Sequence, residues 1–558
     1  MVSRLDFGVT RDARYNASRC SMGLGLLRWF PRRSIEGGIE VRQRTSFGLS
    51  CCWVFLSMGS MTPCTAQQRD VARDAEQATR RQAMVADIDA VLSRAWEAAG
   101  VTPAPLADDS EFLRRVYLDL TGVIPKVSEA RAFLRDSASD KRARLVEHLL
   151  ASPTHATHMA NTWRRIMLPG NLSDEQLANV AGVQNWLRGQ FVENMRYDRM
   201  VGDLLVATGS GNTGPGLYYT ALELKPEKLA ASTARIFLGL QMDCAQCHDH
   251  PFDDWTQQDF WGYAAFFAQL GDAGNSNLID QDRGEVTLPD TETVVMPKFP
   301  GGERASQDGE FGSRRDKLAV WMASRGNEYL PKAAVNRVWA HLFGRGIVDP
   351  VDDLGRHNAP SHPQLFERLS TYFVRSGYDL RELLRTLTET KAYQRSSRVS
   401  GAAPDPAFFA VMAIKPLTAE QLYDSLAQSL GEQSTSTDES EQRRRAFLAK
   451  MQSQSRDATE FDAGVTQALT LMNGDEVAHA TDPARSRVLS ALQSPLFQTE
   501  KDVLDVLFLA TLSRFPSSEE TREIGKYLAQ AERGQPQQQA RADVLWALLN
   551  SAEFALNH

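Results

Sequence analysis

The chain has 558 residues, 42% of them apolar and 24% charged, with a formal net charge of −8. That length exceeds what one hydrophobic core serves, and a prior of roughly 100–200 residues per domain predicts about three structural units. A net acidic balance gives no electrostatic footprint for nucleic acid, which needs a basic patch to displace counterions, so nucleic-acid partners are not expected.

Four of the six cysteines, Cys20, Cys51, Cys52 and Cys64, lie near the N-terminus. There the basic "VRQR" is followed by the apolar "FGLSCCWVFLSMGSM" and then "TPCTAQQ". This is the order of a secretory signal, with cleavage after Ala66 and Cys64 at the −3 position. Residues 1–66 are therefore read as an N-terminal extension and signal peptide. The Arg- and Gly-rich stretch ahead of "VRQR" fits poorly as the start of a signal, which a later translation start at Val41 would explain. About 15 apolar-leaning residues broken by Gly and Ser fall short of a bilayer span, so the mature chain is expected to have no membrane span and to be periplasmic or secreted. It then keeps two cysteines, Cys244 and Cys247, in a compartment that permits haem attachment or a disulfide.

From Arg69 to Leu270 the helix period dominates. Met84, Val85, Ile88, Val91, Leu92, Ala95 and Trp96 recur at three- and four-residue steps, ending at Gly100. The next helix, in "DDSEFLRRVYLDLTG", has Asp109 or Ser110 as its N-cap, a stripe of Phe112, Leu113, Val116, Tyr117 and Leu120, and a stop at Gly122. "GSGNTGPG" reads as a loop; without a Lys-Ser/Thr ending it makes a weak phosphate cradle. A first helical domain is placed at 83–270.

Inside it, "FLGLQMDCAQCHDHPFDDW" frames a C-x-x-C-H between two helices. Two thiols three positions apart reach the two vinyl groups of a haem, and the next His turns in as an iron ligand. Cys244, Cys247 and His248 are thus candidates to hold haem c. Met296 is the first candidate for the opposite axial position, with His155 and His158 as others. Three alternatives stay open: a disulfide, a redox thiol pair, or a Zn-type metal site from Cys244, Cys247, His248 and His250, with Asp253. His250 stands too close in sequence to His248 to serve comfortably as the opposite ligand of one haem.

Residues 271–313 are rich in Gly, Asp and Pro and read as a linker, with a small β-hairpin in "GEVTLPDTETVVMPKF" turning at Pro289 and Asp290. A second helical domain is placed at 314–558. It opens with "YLPKAAVNRVWAHLFGRG", stopped by Gly344, and continues through a capping box of Ser361 and Gln364. A cluster of Asn336, Arg337, His341, Arg345, Asp352, Asp353, Arg356, His357 and His362 contains acid–base and metal-binding residue types. It is read as structural, because His341 sits on a helix that must pack and Asp352 and Asp353 sit in a turn. The polar stretch from Gly431 to about Thr459 is expected to be mobile. Three helices follow Asp502, the first two parted by Pro516 and a Ser517 cap. The fold class is mainly α: two helical domains joined by a Gly/Pro-rich linker with a small hairpin. No G-x-S-x-G, H-E-x-x-H or dinucleotide fingerprint is found, so the common hydrolase and dehydrogenase readings lack support.

Five strings, "ADDSEFLRRVYLDLTGVIP", "FLGLQMDCAQCHDHPFDDWTQQDFWGYAAFF", "AAVNRVWAHLFGRGIVDPVDDLGRHNAPSHPQLFERL", "LLRTLTETKAYQRSS" and "LLNSAEFALNH", resemble paired domains of planctomycete-type bacteria. These are the domain-of-unknown-function families fifteen-forty-nine and fifteen-fifty-three, called cytochrome-associated, over roughly Ala86 to Leu270 and Arg314 to His558. The resemblance implies export. It makes Cys244, Cys247, His248, His250, Pro251 and Asp253 the characteristic string without assigning what that string binds. Larger relatives carry a separate cytochrome c domain with its own C-x-x-C-H, which this chain lacks.

Two functional expectations follow. The first is an exported haem c protein acting with a periplasmic redox partner. The second is a non-redox scaffold or carbohydrate-associated binding protein whose C-x-x-C-H-x-H loop is stabilised by a metal or a disulfide. The sequence specifies neither a catalytic activity nor an oligomeric state.

Overall fold

The apolar stripe of the first helix faces the interior: Met84, Ile88, Leu92 and Trp96 are all buried. This helix, α1 (Cys64–Ala99), opens a computed structural model that describes residues 64–302, 305, 312–399, 401–431, 438–451 and most of 474–558. The signal-peptide and start-site readings lie almost wholly outside the described residues.

In the first segment α1 is followed by α2 (Asp109–Thr121), α3 (Val127–Arg135), α4 (Lys141–Leu150), α5 (Pro153–Met167), α6 (Asp174–Val192), α7 (Tyr197–Leu205), α8 (Gly216–Ala221), α9 (Pro226–Thr233) and α10 (Gln257–Ala264). The α2 stripe is buried as expected, and Gly122 ends the helix in the left-handed region at φ 71°. The N-cap is Asp108 rather than Asp109 or Ser110, because its carboxylate accepts the N–H groups of Ser110 and Glu111. The "GSGNTGPG" loop contributes strand β1 (Gly209–Ser210), which pairs with β3 (Asn277–Asp280), itself paired with β2 (Leu270–Asp272). The linker hairpin forms from β4 (Val286–Thr287) and β5 (Val294–Val295), turning through Asp290 at positive φ.

The second segment contains α11 (Arg314–Met322), α12 (Tyr329–Phe343), α13 (Pro363–Arg375), α14 (Leu380–Glu389), α15 (Ala419–Ser429) and α16 (Asp438–Met451). The described part of the stretch expected to be mobile is thus helical, with Phe447 and Met451 buried and Phe447 packed on Tyr423. Ser361 does not cap α13. Its hydroxyl donates to the Ile347 carbonyl, and Pro363 opens the helix after His362. The tail forms α17 (Arg487–Ala491), α18 (Glu500–Thr511), α19 (Ser518–Gln530), α20 (Gln535–Leu549) and a short α21 (Ala552–Ala555). The last strand, β7 (Leu556–Asn557), pairs with β6 (Lys415–Pro416).

The main hydrophobic core takes side chains from both segments, from Met84 on α1 to Trp339 on α12 and Leu384 on α14. A second core collects α15, α18 and α20, and Leu118 of α2 reaches into it. Buried polar side chains of α2 tie these parts together. The Arg114 guanidinium donates to the carbonyls of Thr511, Phe554 and Leu556. Asp119 accepts from Lys415 Nζ at 2.6 Å, Asn557 Nδ2 at 2.7 Å and the Tyr393 hydroxyl at 2.8 Å. Such groups are costly to bury unless every partner is present, so they fix one arrangement of the segments. No helix among the described residues is long and apolar enough to cross a membrane.

Candidate functional site

Helix α9 does not run straight into the C-x-x-C-H turn. Its last stretch, Ala234–Leu238, widens into a π turn closed by Gly239 in the left-handed region, and such turns re-aim a chain at the cost of regular helix bonding. A 3-10 turn, Asp243–Gln246, then carries Cys244, with Cys247 next. Helix α10 grips this turn from behind: Trp261 Nε1 donates to the Gln246 carbonyl at 3.1 Å and Gln257 Nε2 to that of Cys247 at 3.0 Å. The start of α10 is fixed by the Thr256/Asp259 capping box. Burial alone would raise the Asp259 carboxyl, but Lys298 and Thr256 outweigh it and hold the group below the usual carboxylate range.

Both thiols are free and exposed. His248 is exposed too, and its Nδ1 lies 2.8 Å from the Asp249 carbonyl. A ring that donates Nδ1–H there keeps its Nε2 lone pair available as a ligand. Met296 is half-buried just past β5, and its carbonyl lies against Gly262 of α10. His155 and His158 are buried on α5. His155 Nδ1 bonds to the Leu120 carbonyl, and the His158 ring packs against His341.

The structure disperses the polar cluster of the second segment: Arg345 pairs with Asp349 and His362 packs on Phe409. Asn336 is structural, its amide donating to the Val348 and Val351 carbonyls and accepting from Val348 N–H. His341 likewise bonds to the Asp119 carbonyl. One part of it, Asp352 to His357, lies against the C-x-x-C-H region. Leu354 N–H donates to the Gly239 carbonyl at 2.8 Å, while Asp352 pairs with Arg235 at 2.9 Å and accepts from Gln241 at 3.2 Å.

Two glycines of this seam have no room for a side chain as it stands, Gly239 against Leu354 and Gly355 against the opposite loop. A Cβ placed at Gly355 would lie 2.7 Å from Asp253 Oδ2 and 2.8 Å from His357 Cε1, so a side chain there would have to displace the ends of both. Around it, His357 Nε2 bonds to the buried Asp353 carboxylate at 3.0 Å. The His357 ring lies 6.3 Å from that of His250 and 6.4 Å from that of Phe252. Arg356 pairs with Asp254. Burial and the Glu328 carboxylate hold the nearby Tyr329 phenol above its ordinary range; Asp253 adds to this and Arg356 opposes it.

Cys244, Cys247, His248, His250 and Asp253 do not converge as one ligand set. His250 Nδ1 accepts Phe252 N–H at 3.2 Å, and Asp253 turns toward Gly355. Among the described residues no three His, Cys, Asp or Glu side chains are gathered to hold a metal ion.

Two family models match. One, described as PSCyt2, a protein of unknown function (DUF1549), covers residues 87–272; the other, PSD1, likewise of unknown function (DUF1553), covers 314–462. The chain thus carries one segment matching each of the two paired families, as the resemblance implied. In this paired-domain protein the first family segment supplies the C-x-x-C-H loop, the second supplies Asp353, Gly355 and His357, and the site lies where they meet. The tail helices α17 to α21 lie beyond the second match. No curated protein and no solved structure matches the chain.

Proposed function

We propose that this paired-domain protein is exported and binds haem c covalently through Cys244 and Cys247, with His248 Nε2 as an iron ligand, and passes electrons to a periplasmic partner. The observation that carries the reading is the state of three side chains on one short turn. Two unpaired thiols face solvent, where a haem can reach them, and the adjacent imidazole has its Nδ1 tied to a carbonyl so that Nε2 is left for iron. When bound, the haem would supply one-electron chemistry; the chain supplies attachment and orientation. Trp261 and Gln257 hold the turn rigid, so both sulfurs are presented from a fixed backbone. Met296, whose carbonyl lies against Gly262 of α10, is the residue proposed as a second iron ligand.

The test is to express the full chain with a haem-maturation system and record its absorbance after denaturation. Thioether attachment predicts a Soret band that persists in denaturant and is lost in Cys244→Ala/Cys247→Ala. A band that washes out, or none at all, removes the redox reading.

A further inference from the structure

Helices α19 and α20 leave an open cleft of about 640 Å³ along the line where they pack. Its floor is apolar, made by Ile524, Val544 and Leu548, the last two buried. Two aromatic side chains flank it, Tyr527 from α19 and Trp546 from α20, and they are 47% and 38% exposed. Clefts of roughly 300–1,000 Å³ that combine an apolar lining with a few polar groups are the usual form of a small-molecule site. The cleft lies in the tail, beyond the second family match, and shares no residue with the C-x-x-C-H seam.

The charged groups at the cleft set the sign of its ligand. Two carboxylates line it, Glu523 and Asp543, and among the described residues no Lys, Arg or His does. Glu523 is matched by Arg522 at 2.9 Å and Lys526 at 3.2 Å. Asp543 meets only neutral donors: its Oδ2 accepts the Tyr527 hydroxyl at 2.7 Å and its Oδ1 the Gln539 amide at 2.9 Å. These bonds fix the carboxylate beside the Tyr527 ring, leave its charge unbalanced among the described residues, and leave lone pairs to spare. An anion is therefore repelled, and a metal ion lacks three gathered donors. A neutral sugar finds few donors, since the Tyr527 proton is already committed to Asp543, and an uncharged hydrocarbon would leave the carboxylate unused. An ammonium ion with an apolar substituent uses every part. The substituent covers the floor, and the charge lies between Asp543 and the rings of Tyr527 and Trp546, whose π faces attract cations.

We propose that the cleft between α19 and α20 binds a small organic ammonium ion bearing an apolar group, held by Asp543 and the rings of Tyr527 and Trp546. The site goes beyond the redox reading and does not depend on it, since no residue of the cleft takes part in haem attachment.

The test is saturation-transfer NMR and calorimetry of the full chain with ligands that share a phenyl group: the cations benzyltrimethylammonium and phenethylammonium, the neutral benzyl alcohol and the anion phenylacetate. At least one cation is expected to bind, with the alcohol at least about five-fold weaker and the anion weaker still. Trp546→Ala should weaken the cation at least about five-fold. Asp543→Asn should remove the preference for the cation over the alcohol, and Val320→Ala, at an exposed apolar position on α11, should change nothing. Failure of both cations to bind, equal binding of the alcohol, or a preference for phenylacetate overturns the proposal, and these comparisons need only wild type. Wild-type affinity in a Trp546→Ala chain that melts as wild type does overturns it as well.

Discussion

His250 and His357 stack across the seam between the two family segments, their planes 25° from parallel and their centres 6.3 Å apart. One belongs to the C-x-x-C-H loop and the other to a polar loop far along the chain. Beside them, Gly355 leaves no room for a side chain as the loops stand, since a Cβ there would press on the ends of Asp253 and His357.

Gly355→Ala should therefore crowd the Asp253 carboxylate and the His357 ring. Overpacking of this kind costs about 1–3 kcal/mol, to be read as a lower urea midpoint. A variant as stable as wild type would mean that the loops give way easily and the seam is not rigid.

Asp119 is a second joining point, accepting from Lys415, Tyr393 and Asn557 in the interior. Asp119→Ala would leave a buried ammonium without its counter-charge. Breaking a buried pair in this way costs roughly 3–5 kcal/mol, and chemical denaturation should show it. Replacing Lys415 by Met together with Asp119→Ala should recover part of the loss.

His155 makes the fold sensitive to mild acid. Burial pushes its imidazole down to about 4 from an ordinary value of 6.5, despite the opposing bond to the Leu120 carbonyl. Between those values the unfolded chain binds a proton that the folded chain does not, so stability is greatest above about pH 6.5 and falls as the pH drops toward 4. The loss from this one group is roughly 3 kcal/mol. His158 and His341, both lowered mainly by burial, act in the same direction. Urea titrations at a series of pH values should show the decline, shallower in His155→Gln; an identical slope in that variant would exclude His155 as a source.

The helices and their apolar stripes were legible because burial imposes the 3.6-residue period: the α2 stripe is buried, as are Met84, Ile88, Leu92 and Trp96 of the α1 stripe, while Val85, Val91 and Ala95 are half-buried. The hairpin was legible from β-branched runs around a turn. Helix starts were less so, since Asp108, Asp109 and Ser110 are all good caps and only geometry selects Asp108. Ser361 carries a capping sequence, yet its hydroxyl is drawn to the Ile347 carbonyl of the neighbouring loop. The C-x-x-C-H residues stood out by their spacing. Asp353 and His357 were visible only as members of a polar cluster with a plausible structural role, and that role holds for Asn336 and His341. Nothing local in sequence distinguishes the two kinds. The pairing of His357 with His250 is a tertiary fact, for which the one sequence cue was a glycine between Asp353 and His357.

The claim on which the redox account rests is that the two thiols of the C-x-x-C-H turn are sites of covalent attachment. Peptide mass spectrometry on protein purified from its native source tests this most directly. The account predicts that the peptide containing Cys244 and Cys247 carries a haem on both sulfurs. Recovery of that peptide with both thiols free to alkylate, or joined only to each other, would contradict it.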